Sequence, residues 1–218
     1  MLEAPPVRQR WPLITDAVSV IGDTQVRNWG TAGGALAEAD PAGDWGPVVL
    51  ALQARICCLS VRGERWLEAE KFFADAYTPN LSPDEIVTEI IVPAPEAHRA
   101  AAYLKLERRA GDFAVVSVAV QLTMAERGIC KDARIALGAA GLTPLILPEV
   151  THCLTGKELR SEVIDEAARQ VTRAVQPLED HRGSQDYKRA AAGAIFKQAV
   201  EVALRREQGA EVGGAHGQ

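Results

Sequence analysis

The run Gln25-Val26-Arg27-Asn28-Trp29-Gly30-Thr31-Ala32-Gly33-Gly34-Ala35-Leu36-Ala37-Glu38-Ala39-Asp40-Pro41 constrains this chain more than any other stretch. Three glycines and a threonine fall within five residues, and an Asp-Pro pair follows. Gly33 and Gly34 lack a Cβ and can take positive φ, so a ligand can come close to the backbone. Successive N–H groups in such a loop can converge on one anion, and a diphosphate is the natural guest. A glycine-rich turn uses the same residues for its own geometry. On this stretch alone both readings stand.

Composition removes several function classes. At 218 residues the chain has room for one or two domains. Its 47% hydrophobic and 24% charged content is that of an ordinary globular protein. The formal net charge of −5 points away from nucleic acid and anionic membrane. No segment nears the ~20 apolar residues of a membrane span. The stretch from Met1 to Arg10 has no apolar core, so no signal peptide is read there and the cytoplasm is the expected location. The four cysteines, Cys57, Cys58, Cys130 and Cys153, form no Cys-x-x-Cys pair, and none of the four histidines is paired at i, i+4. Neither an iron–sulfur cluster nor another metal site is expected in this chain.

The local patterns define the expected elements. Residues 12–21 read as a helix with apolar positions three and four apart. The glycine-rich run is expected as a loop, with Asp40 capping the helix after it. Residues 45–54 form that helix, in which Pro47 is tolerated near the start. Arg55–Val61 and Glu85–Val92 read as strands, with a turn at Arg62-Gly63-Glu64 and a loop at Tyr77–Pro83. Pro93-Ala94-Pro95 ends the second strand, because proline donates no ladder bond and forces the preceding residue to be extended. A domain boundary is expected near 93–97. Beyond it come strands at 100–107, 114–124 and 133–137, and helices at 148–154, 161–175 and 184–206, the last with Ser184 or Asp186 as N-cap. Residues 207–218 read as a disordered tail. Strands followed by helices suggest α+β.

The ordered set Ile21, Gly22, Gln25, Arg27, Asn28, Gly30, Thr31, Gly33, Gly34, Leu36, Ala37, Asp40, Pro41, Asp44, Pro47, Leu50, Ala51 and Leu52 resembles the second phosphate-binding segment of a known family. That family is the FAD-binding medium subunit of molybdenum hydroxylases, which includes carbon monoxide and xanthine dehydrogenases. Three later stretches are similar to its C-terminal domain: Lys105–Ala119, Ala133–Gly138 and Asp180–Arg189. The resemblance implies an α+β chain. Residues 1–95 would be the second lobe of an FAD-binding domain of the PCMH/VAO type. Residues 96–206 would be a carbon monoxide dehydrogenase flavoprotein C-terminal-type domain, with a three-stranded antiparallel sheet plus helices.

It further implies an oxidoreductase subunit in a heterotrimer. FAD would pass electrons from 2Fe–2S clusters on a small subunit to an external acceptor, and a molybdenum cofactor would sit on a large subunit. No acid–base dyad or nucleophile is expected, since the flavin carries the chemistry. Thr31, Ala32, Gly33, Gly34 and Ala35 would form the pyrophosphate loop, with the Thr31 hydroxyl either a phosphate donor or a loop cap. Asp44 would meet the sugar-and-adenine half or be an exposed turn acid. Ile21 and Val87 would face the cofactor or fill the core. Lys105 would lie near the isoalloxazine, stabilising its anionic reduced form, or be a solvated lysine. Phe113 would lie over the flavin ring or in the core. Arg27 and Asn28 would brace the loop. The family's first lobe, with its own glycine loop, is expected to be missing. The alternative is therefore a non-catalytic assembly component with weak or no FAD binding. A third reading, resting on the glycine loop alone, is a phosphate-binding module without redox chemistry.

Overall fold

The computed structural model describes residues 5–95 and 98–208. Five short helices open the fold: α1 (Pro5–Arg10), α2 (Pro12–Val20), α3 (Thr24–Trp29), α4 (Ala32–Glu38) and α5 (Trp45–Ala51). Next come β1 (Arg55–Ser60), β2 (Gly63–Glu68), β3 (Phe73–Asp75), β4 (Thr78–Pro79) and β5 (Ile86–Ile91). A second series follows: β6 (Arg99–Leu106), β7 (Val116–Met124), β8 (Cys130–Gly138), β9 (Leu145–Ile146), α6 (Pro148–Leu154), α7 (Ser161–Ala174) and α8 (Gln185–Glu207).

The strands form two main antiparallel sheets, ordered β2-β1-β5 and β6-β7-β8-β9. The second carries a short fourth strand, β9, beyond the three expected; its two residues pair Ile146 with Ala136 and Leu145 with Leu137. Two residues are too short a run for alternation to reveal. The tail expected from 207 falls, from 209 onward, outside the described residues, as do Glu96 and Ala97 at the expected boundary.

Strand period two decides what each sheet face buries. Ala100, Ala102, Val118, Val120, Leu122, Ile135 and Leu137 join Val150, Leu154, Ile164, Val171 and Phe196 in one core beneath α6, α7 and α8. Ala101, Tyr103, Ala119 and Ala136 point the other way and join Leu13, Ala17, Val48 and Leu52 of the opening helices. Every residue of β7 is buried, as a strand covered on both faces requires. The second sheet therefore lies between two helical layers. Its near face, carrying Tyr103, is what the first half of the chain packs against.

Two expectations in the glycine-rich run are corrected. The run is two short helices, α3 and α4, rather than a loop, and Gly33 and Gly34 sit inside α4; neither is among the glycines with positive φ, which here include Gly22. Asp40 does not cap α5. Its Oδ1 accepts from the Ala42 amide at 2.8 Å, a local turn, and Asp44 occupies the N-cap position without a side-chain cap bond. Asp and Asn satisfy backbone donors two residues on as readily as a helix end.

Candidate cofactor site

Thr31 is the N-cap of α4, and its Oγ1 accepts from the Gly34 amide at 2.9 Å. The Ala35 amide is taken by the Thr31 carbonyl at 3.0 Å. The amides of Ala32 and Gly33 have no intrahelical acceptor, as helix geometry dictates for the first turn. Gly33 packs on β5: a Cβ there would lie 3.3 Å from Val87 Cγ1 and 3.4 Å from the Val87 carbonyl oxygen. A Cβ at Gly34 would lie 2.9 Å from Thr31 Oγ1, inside the cap. The glycines allow close approach, and Gly33 and Val87 are neighbours.

Asp44, Tyr103 and Lys105 form a second cluster. Tyr103 and Lys105 are two residues apart on β6 and so share one face of the strand. The Tyr103 hydroxyl donates to Asp44 Oδ1 at 2.5 Å, and Lys105 Nζ donates to Asp44 Oδ2 at 3.2 Å. The ammonium also donates to the carbonyls of Val20 at 2.7 Å and Asp112 at 2.9 Å. Glu107 Oε2 lies 3.2 Å from it as an ion-pair partner, outside hydrogen-bond geometry. Burial pushes the Asp44 carboxyl above its ordinary range, against the pull of the Lys105 ammonium and the Tyr103 hydroxyl. Burial, then the adjacent Asp44 charge, drives Tyr103 well above its own, so it stays the donor.

Two loops meet at this cluster. Gly22 has φ +48° and Gly111 φ +80°, conformations that favour glycine. They touch: a Cβ on Gly111 would lie 3.0 Å from the Gly22 carbonyl carbon. Arg27 Nη1 donates to the carbonyls of Ile21 at 2.7 Å and Gly22 at 2.9 Å. Ile21 is half-buried, whereas Phe113 is 43% exposed, with the Arg182 guanidinium 5.5 Å from its ring centroid. Phe113 is thus not a core residue.

The family described as FAD binding domain in molybdopterin dehydrogenase matches residues 1–95, and CO dehydrogenase flavoprotein C-terminal domain matches residues 101–203. The carbon monoxide dehydrogenase medium chain of Hydrogenophaga pseudoflava is 34% identical over 206 residues, covering 94% of this chain and 71% of that one. This chain belongs to the FAD-binding medium subunits of the molybdenum hydroxylases. The glyceraldehyde dehydrogenase medium chain of Sulfolobus acidocaldarius is 38% identical over 183 residues; the chain spans 64% of that relative. A solved carbon monoxide dehydrogenase from H. pseudoflava, lacking the Mo-pyranopterin moiety of its cofactor, superposes with a TM-score of 0.90 at 36% identity. That match covers 94% of this chain and 71% of the solved one.

Within this medium-subunit fold the expected site residues divide into three groups. Thr31 to Ala35 and Val87 come together. Ile21 and Phe113 stand on the two loops that meet at Gly22 and Gly111. Asp44 and Lys105 contact each other and are inward. Lys105 is 1% exposed by side chain and Asp44 9%, so neither the solvated lysine nor the exposed turn acid describes them. The Lys105 ammonium donates to Val20, Asp112 and Asp44. Tyr103 and Glu107 were missed. Their signal was the spacing 103, 105, 107, which puts all three polar groups on one side of an extended chain.

Among the described residues no group of three or more His, Cys, Asp or Glu side chains is placed to hold a metal ion. No described helix is long and apolar enough to cross a membrane.

Proposed function

We propose that this chain is the FAD-binding electron-transfer subunit of a heterotrimeric molybdenum-containing hydroxylase or dehydrogenase in the cytoplasm. It would take electrons from 2Fe–2S clusters on a small subunit, with the molybdenum cofactor on a large one, and deliver them to an external acceptor. One observation carries the reading: the family match over 1–95 includes the glycine-containing start of α4, whose backbone is suited to a diphosphate. The Ala32 and Gly33 amides are free of intrahelical acceptors, and the Thr31 hydroxyl, which accepts from Gly34, keeps its own proton to donate. The helix dipole of α4 favours negative charge at that end. Ile21, Ala35 and Val87 would supply apolar walls, and Phe113 an aromatic face. Bound flavin would supply the redox chemistry, and the protein the position and electrostatics.

The residues fit the diphosphate half best. Asp44 and Lys105 support the site from behind rather than touching the cofactor. With both charged side chains turned inward, fewer groups are left to hold FAD, which supports the second reading, an assembly component with weak or no FAD binding. Purification separates the two. Yellow protein that releases FAD on denaturation supports the first, whether alone or with large and small subunits. Colourless protein that still co-purifies with both subunits supports the second. Failure to bind either FAD or the subunits rejects both.

A further inference from the structure

We infer that Lys105 is a positioning residue that clasps two loops, holding Ile21 and Phe113 at a fixed separation through backbone bonds rather than through contact with a cofactor. The inference rests on the FAD reading for its purpose, but not for its geometry.

The ammonium donates to the Val20 carbonyl at 2.7 Å and to the Asp112 carbonyl at 2.9 Å. Val20 immediately precedes Ile21, and Asp112 immediately precedes Phe113. One buried cation therefore ties the end of α2 to the loop between β6 and β7, at the two residues adjoining the expected cofactor walls. The joint is reinforced on each side. Arg27 holds Ile21 and Gly22 from α3, and Glu107 Oε1 accepts the Gly111 amide at 3.2 Å. The backbones of Gly22 and Gly111 touch beneath it.

Asp44 aims the clasp. Its Oδ2 receives Lys105 and its Oδ1 receives Tyr103, so the carboxylate cannot rotate without losing a bond. A direct role at the flavin would need at least one ammonium proton turned outward. Each is already used, and the side chain is 1% exposed. A buried, multiply bonded ammonium is costly to leave half-paired, so this geometry holds or the loops part.

The test uses the full chain, without and with FAD. Hydrogen exchange is measured on wild type and Lys105→Met before FAD is added. Exchange should rise at least tenfold at amides 21–23 and 111–114, while β7 and β8 stay protected. With FAD, the dissociation constant should rise at least tenfold. The midpoint potential of the flavin that does bind should stay near that of wild type. Unchanged exchange at both loops overturns the inference. So does a shifted potential with unchanged exchange, which would mean that Lys105 touches the flavin. If Lys105→Met does not fold, Tyr103→Phe decides: it keeps the ring and removes one bond from Asp44. The same two loops must loosen, to a smaller degree, and no loosening overturns the inference. Wild type that takes up no FAD would sink the proposed function and leave the exchange result to judge the clasp.

Discussion

An ammonium hidden from water has to find its counter-charge within the protein, and Lys105 finds two. Truncating one partner of a buried pair costs about 3–5 kcal/mol. Asp44→Asn should fall at the low end, about 3 kcal/mol by the same reasoning, because Glu107 still lies 3.2 Å away. Thr31→Ala removes one exposed cap and should cost about 1 kcal/mol. Urea unfolding of the two variants should rank them in that order. The carboxylates also set opposite pH trends. Glu85 accepts from Arg65 at 2.7 Å and from the Ser82 amide at 2.7 Å, which pull its pKa down from 4.5 to about 2. An acid held below its unfolded value stabilises the fold above that value and loses this as pH falls through the folded one. Glu85→Gln should therefore flatten the acid limb of stability between about pH 4.5 and 2, as read by denaturant titrations across that window. Asp44, shifted upward, opposes this trend: its contribution is present at low pH and lost as pH rises.

Helices α5 and α4 were legible to different degrees, and their neighbours explain why. The α5 stretch reads as a helix because its apolar residues are continuous and Pro47 sits in its first turn. The α4 stretch reads as a loop because Gly33 and Gly34 oppose helix by about 1 kcal/mol each. The Thr31 cap and the packing of Leu36 in the core override that preference. A glycine inside α5 has a different reason. A Cβ at Gly46 would lie 2.3 Å from Pro144 Cγ, where α5 presses on the link before β9. Gly46→Ala should cost about 1–3 kcal/mol as an overpacked contact, and lower the midpoint of a thermal melt. Strands β5 and β7 were legible from their β-branched runs and β6 as a stretch of mixed pattern, whereas β9 exists only because β8 offers it an edge.

The two halves of the chain are joined at sites far apart in sequence. Asp16 on α2 accepts from Arg206 on α8 at 2.6 and 3.0 Å, and from the Tyr103 amide at 3.1 Å. Arg206 also donates to the Ala101 carbonyl at 3.1 Å. First helix layer, sheet and last helix thus share one carboxylate. Asp16→Ala should cost about 2 kcal/mol, since it strands a charged donor and a backbone amide together. Equilibrium unfolding should remain a single transition, followed by intrinsic fluorescence and far-ultraviolet circular dichroism.

The family, the α+β class and the major strands could all be read from residue order, because each depends on local spacing or on a dense run of identities. The partners of Asp44 and Lys105 could not. Whether a lysine is solvated or enclosed depends on what the fold brings around it, and here Val20, Asp44 and Asp112 arrive from separate parts of the chain. Long-range burial changes the meaning of a charge by taking water away from it, and only the packed molecule decides where that happens.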